Sequence, residues 1–187
     1  MPRLILLNGM PAVGKTTLAR RYADDHAMAL VVELDGLRRQ LGRWQEQPTA
    51  AGLHARALSL TLAGQHLRDG FDVLLPQFLA RPRFIEQAEH VAVGAGAQFF
   101  EFVLVDDRDT LFARFAARST AAAEPAHVDA AWLVERSGGE TALAAMHDRL
   151  LQIISTRDGT RVLHSPAGSL ERVYAQLLDA VGDEEEA

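Results

Sequence analysis

The chain has 187 residues, is 48% hydrophobic and carries a formal net charge of −6. That suits one acidic domain with a substantial core and argues against a broad, salt-dependent grip on nucleic acid. Cysteine is absent, which excludes disulfides, thiolate zinc sites and cysteine nucleophiles.

The N-terminal apolar run, residues 3–8, is too short for a signal peptide and reads as a buried parallel strand; residues 16–23 read as the helix after it. Residues 29–34 form a second apolar run, followed by a helix over about 36–41. A longer helix carries Leu53, Ala57, Leu60, Gly64 and Leu67 as one stripe and ends at Gly70. The third strand is predicted over 71–75. Phe84, Ala88 and Val91 mark the next helix, and 99–105 the fourth strand. Residues 109–118 are helical, 119–127 are rich in small residues, and helical patterns resume over 128–135 and 143–154. A fifth strand covers 161–164, and Leu170, Val173, Leu177 and Val181 mark a closing helix. Strands spaced by helices predict an α/β domain over 1–181: a five-stranded parallel sheet with helices on both faces. Residues 182–187 are an acidic tail. No stretch approaches the length of a membrane span, so a soluble, cytoplasmic protein is expected.

Between the first strand and its helix lies Gly9-Met10-Pro11-Ala12-Val13-Gly14-Lys15-Thr16, which fits the P-loop pattern G-x-x-x-x-G-K-[ST] at every constrained position. Lys15 is the only lysine; every other member of the Lys+Arg total of 19 is arginine. A compact ammonium on a flexible stem reaches between two phosphates, where a planar guanidinium is too wide. The turn aims backbone N–H groups into a concavity, and the helix N-terminus, with Thr17 in its first turn, adds positive potential for the β- and γ-phosphates. Residues 9–17 are thus expected to hold ATP, with the Thr16 hydroxyl on Mg2+.

Ligands of such sheets sit at the carboxyl ends of the strands. After the second strand stand Asp35 and Arg38, three residues apart and therefore neighbours on a helical turn. Asp35 is placed either to take a proton from an attacking hydroxyl or simply to cap the helix. Arg114 and Arg118 lie one turn apart before the small-residue segment; they are expected to neutralise a transferring phosphoryl group, unless they form a solvated face. The third strand is followed by Pro76 and Gln77, with Arg81 and Arg83 beyond. Gln77 is placed to hydrogen-bond an acceptor or a metal-bound water, and the arginines serve either as an anion site or as loop charges. Trp44, Trp132 and Phe78 are candidates for an acceptor pocket, though a core position is the commoner reason for an aromatic. The histidines show no metal-ligand spacing, and no serine elbow is present.

Taken together, residues 9–16, Asp35-x-x-Arg38 and the Arg114/Arg118 pair before a small-residue segment resemble the P-loop kinase group that includes polynucleotide 5′-kinases, zeta-type toxins and chloramphenicol phosphotransferase. The resemblance covers most of the chain and implies a P-loop NTPase-type five-stranded parallel sheet with a helical lid at about 119–127. It implies Asp35 as general base, Arg38 as an acceptor contact, and Arg114 and Arg118 as phosphate-binding lid residues. It departs in one respect: relatives often carry a carboxylate at the end of the third strand, where this chain has Pro76-Gln77. Magnesium would then rest on Thr16, nucleotide oxygens and water, with Asp35 at hand. The expected function is transfer of the ATP γ-phosphate to a hydroxyl of a small molecule, with Arg38, Gln77 and Arg81 binding that acceptor. The acidic charge disfavours a polynucleotide end, and the chain is too short for a motor ATPase. A nucleotide-dependent sequestration protein is the alternative outside catalysis.

Overall fold

The computed structural model describes residues 1–121 and 125–182. Its centre is β1 (Arg3–Gly9), buried along almost its whole length because helices cover both faces of the sheet. Successive side chains therefore enter different cores: Ile5 and Leu7 pack with Leu18 and Tyr22, whereas Leu4 and Leu6 pack with Leu67, Phe84 and Ile85. The strand order is β2-β3-β1-β4-β5, with β2 (Leu30–Val31), β3 (Val73–Pro76), β4 (Gln98–Val105) and β5 (Arg161–His164), and every pairing is parallel. The expected five-stranded parallel α/β architecture is the one observed.

One face carries α1 (Lys15–Asp25) and α8 (Leu170–Val181), joined by α5 (Arg108–Ala121) and α7 (Gly139–Thr156) through Leu111, Phe115, Leu143 and Leu150. The other carries α3 (Pro48–Arg68) and α4 (Pro82–Gly94). Two further helices, α2 (Leu34–Gln40) and α6 (Pro125–Arg136), stand at the carboxyl end of the sheet, where their residues border the cleft described below.

Two elements differ from expectation. Strand β2 is a two-residue edge strand, because the chain leaves the sheet after Val32 donates to Leu74 O (2.9 Å) and turns into α2 at Leu34. In α3 the buried face is Ala51, Ala55, Ser59, Ala63, Gly64 and Leu67. Small residues let α3 approach α2 and α4 closely, so the first half of the predicted leucine stripe is turned away from the core. Leu53 is 61% exposed. Where described, the small-residue segment is helical: 119–121 end α5 and 125–127 begin α6. Residues 122–124, and 183–187 of the acidic tail, lie outside the described residues.

Candidate nucleotide and acceptor site

The P-loop conformation follows from its glycines. Gly9 sits at φ +150°, and a Cβ there would lie 2.7 Å from the Leu104 carbonyl oxygen and 2.9 Å from Val13. Gly14, at φ +106°, turns left-handed to cap α1. Between them Ala12 also adopts a positive φ, 68°. Met10 and Val13 are buried beneath the loop and anchor it, leaving Pro11, Ala12, Gly14, Lys15, Thr16 and Thr17 to line a cavity of about 190 Å³.

Lys15 is folded back into that loop, donating to Gly9 O (2.9 Å) and Met10 O (2.8 Å). Burial, reinforced by the nearby Arg118 and opposed by Asp35, pushes its pKa from 10.5 down to about 7. An arriving phosphate would restore the charged form and draw the ammonium off the two carbonyls.

Across the cleft stand Glu33, Asp35, Gln77 and Phe78, and over it Arg118, Ala126, His127 and Ala130. Asp35 is not the cap of α2: Glu33 holds that position, and Asp35 lies in the first turn. Its Oδ1 is 3.1 Å from Nη2 of Arg38, a buried guanidinium stacked 4.8 Å over Trp44. The contact is coulombic in character, since neither Nε nor Nη2 of Arg38 has an aligned hydrogen-bond acceptor among the described residues. Trp44 in turn meets Trp132 of α6 edge-on at 5.6 Å, and Arg39 lies 3.8 Å from the buried Asp129. The helix covering the cleft is thereby docked on the helix that carries Asp35.

The two arginines of α5 diverge. Arg118 lines the cleft, whereas Arg114 is paired with Asp106 at 2.9 Å and reaches toward Ser165 O at 3.5 Å. Arg114 therefore braces the loop behind the P-loop, where Ser165 Oγ donates to Val13 O (3.1 Å), and is not among the cleft-lining residues. Arg38 likewise sits behind Asp35 and outside the lining. Arg81 and Arg83 border a second cavity, between α3 and α4.

Several functional positions carry no sequence motif. Glu33 and Arg20, ion-paired at 3.0 Å, border the cleft, as does His127, which sequence spacing assigned no role. Asn8 is fully buried: its Oδ1 accepts from Gly9 N (2.8 Å) and Leu79 N (2.8 Å), and its Nδ2 donates to Leu79 O (3.0 Å). It ties the start of the P-loop to the segment after β3. A lone polar residue at the end of an otherwise apolar strand was the available signal.

Among the described residues no cluster of three or more His, Cys, Asp or Glu side chains is arranged to hold a metal ion. Likewise, no helix is long and apolar enough to cross a membrane among the described residues.

A parallel sheet with a P-loop at the end of its central strand defines a P-loop NTPase fold. The chain belongs to the AAA domain family, whose model matches residues 4–135. No curated protein sequence matches it. The fold is similar to that of the Mycobacterium tuberculosis APS kinase in complex with AMPPNP and APS, with a TM-score of 0.63 and 16% identity over 97% of this chain and 98% of that one. It is also similar to a Sinorhizobium meliloti gluconokinase (TM-score 0.60, 15% identity, 99% and 98% covered) and to the Deinococcus radiodurans tunicamycin resistance protein (0.61, 16%, 97% and 96%).

Proposed function

We propose that the chain is an ATP-dependent phosphotransferase that moves the γ-phosphate to a hydroxyl of a small-molecule acceptor. One observation carries this: Lys15, Thr16, Asp35 and Arg118 line a single narrow cleft over the P-loop. The backbone amides of 11–16 and the α1 N-terminus would cradle the β- and γ-phosphates, with Lys15 between them. Magnesium, held by Thr16 and phosphate oxygens, would offset charge on the transferring group. Asp35, which lines the cleft with Lys15, takes the proton of the acceptor hydroxyl as its oxygen attacks the γ-phosphorus and the bond from that phosphorus to the departing ADP oxygen breaks. Arg38 keeps that carboxylate oriented, and Arg118 neutralises charge on the equatorial oxygens. Closure of α5 and α6 over bound nucleotide excludes water and so limits hydrolysis. Within the P-loop kinases, the Asp35–Arg38 pair and the lid arginine Arg118 favour the group of polynucleotide kinases, zeta toxins and chloramphenicol phosphotransferase.

A second reading keeps nucleotide binding without transfer, as a protein that sequesters a small molecule. It is favoured by Pro76-Gln77 where a strand-end carboxylate would assist magnesium, and by likeness to a tunicamycin resistance protein. Asp35→Asn separates the two. A base is expected to contribute roughly a hundredfold to turnover with ATP affinity unchanged. An unchanged rate of acceptor-dependent ATP consumption in the variant would remove Asp35 from the chemistry.

A further inference from the structure

The second cavity, of about 610 Å³, opens between α3, α4 and the segment after β3, and its composition is unusual for this acidic chain. Three arginines, Arg56, Arg81 and Arg83, stand around it, and no acidic side chain is among its lining residues. Elsewhere arginines meet carboxylates: Arg20, Arg39, Arg114 and Arg157 each have one within 3.8 Å. Among the described residues none of the three groove arginines has such a partner. Between them the wall is apolar, formed by Leu53, Leu60, Phe78 and Phe84. Leu53 and Leu60 belong to the leucine stripe that a core would have buried, and Leu53 remains largely exposed. Phe78 also lines the nucleotide cleft, so the two cavities share a wall.

Unpaired guanidinium groups converging on apolar surface match one class of ligand, an anion with an apolar body. Each arginine offers a planar set of donors suited to a carboxylate or phosphate, and the leucines and phenylalanines lose water only against a hydrocarbon or aromatic group. We infer that this groove holds the acceptor, and that the acceptor is a small amphipathic anion whose hydroxyl projects past Phe78 toward Asp35. The inference rests on the phosphotransferase reading for the fate of the hydroxyl, but the anion site stands on the groove alone. A polynucleotide fits less well. The cavity has the volume of a single drug-sized molecule, and α4 continues outward with exposed Glu86 and Glu89, which would repel a phosphate chain.

The test uses the full chain and two probes of matched shape, 4-phenylbutyrate and its neutral analogue 4-phenylbutan-1-ol, titrated calorimetrically at low ionic strength. The carboxylate is expected to bind about tenfold more tightly than the alcohol. A triple variant Arg56→Ala, Arg81→Ala, Arg83→Ala is expected to erase that preference while leaving ATP affinity unchanged; all three side chains are exposed, so the fold does not depend on them. Equal affinity for both probes, a preference that survives in the triple variant, or no saturable binding of either would overturn the inference. A separate assay of ATP consumption with hydroxylated arylcarboxylates isolates the catalytic step. Charge-selective binding without turnover would support the anion site and reject transfer. Turnover confined to neutral alcohols or to 5′-hydroxyl oligonucleotides would support transfer and overturn the groove assignment.

Discussion

The cleft over the P-loop and the groove between α3 and α4 meet at Phe78 but are built from different material. The cleft is made chiefly of backbone. Gly9 holds its loop where a side chain would collide, Gly14 supplies a left-handed turn, buried Met10 and Val13 pin it from below, and the Lys15 amine is held inside it. The groove is made of side chains from α3, α4 and the segment after β3, with the exposed Arg56, Arg81 and Arg83 around it. Backbone geometry of the first kind is fixed by a few residue types, so nucleotide binding is written into a short motif. A side-chain surface of the second kind changes with single substitutions and leaves no motif. The division matches what a phosphotransferase needs: a constant donor site beside an acceptor site that can diverge.

The largest expected effect comes from removing Lys15, the cleft side chain proposed to lie between the β- and γ-phosphates. Lys15→Ala should weaken Mg·ATP binding by roughly a hundredfold or more with the fold intact, since a charge-assisted contact is lost from a buried site. Unchanged affinity by calorimetry would move the nucleotide elsewhere.

Next is the residue that joins the two regions. Asn8→Ala leaves Gly9 N, Leu79 N and Leu79 O without partners in a buried site. A loss of about 2 kcal/mol is expected in urea denaturation, because stranded buried groups carry their full desolvation cost. If stability is unaffected, cleft and groove are not mechanically tied through Asn8.

A subtler effect is protonic. In the free protein Lys15 is mostly neutral above about pH 7, whereas between phosphates it would be charged. Mg·ATP binding should therefore take up close to one proton at about pH 8.5 and almost none near pH 6. By the same sign, the unliganded fold gains stability as pH rises from about 7 toward 10.5, where the unfolded chain holds the extra proton. Calorimetry in buffers of different ionisation enthalpy reads the uptake, and Lys15→Ala should abolish it.

The smallest effect concerns the cover. Trp132→Ala removes the contact with Trp44, and is expected to speed amide exchange across α6 several-fold in the free protein. Adding Mg·ATP should slow exchange at the ends of α5 and α6 in the wild type. Equal protection with and without nucleotide would mean that these helices do not close as a lid.

The same contrast explains what was legible in the sequence. Strand, glycine turn and helix over 3–25 were predictable because each residue type there satisfies a local backbone demand. The burial of β1 on both sides also followed from the unbroken apolar run 4–7. The face of α3 was not legible: leucines at helical spacing ordinarily mark the buried side, but here alanine, serine and glycine are buried because neighbouring helices approach closely. Asp35 was placed at the right mouth, yet whether it capped the helix depended on where β2 ended, and an edge strand gives a weak boundary signal. Arg114 and Arg118 looked equivalent by spacing. Only the fold brings Asp106 against the first and leaves the second over the cleft. His127 and Glu33 reach the cleft through chain geometry that no local pattern encodes.

The central claim is phosphoryl transfer from a P-loop-bound nucleotide with Asp35 as base. The most direct measurement follows label from γ-phosphate-labelled ATP into a panel of hydroxylated small molecules, with wild-type protein and Asp35→Asn side by side. Label appearing on a small hydroxyl compound with the wild type, and slowed about a hundredfold in the variant, is the predicted result. Label found only in free phosphate, or transferred equally well by Asp35→Asn, would contradict it.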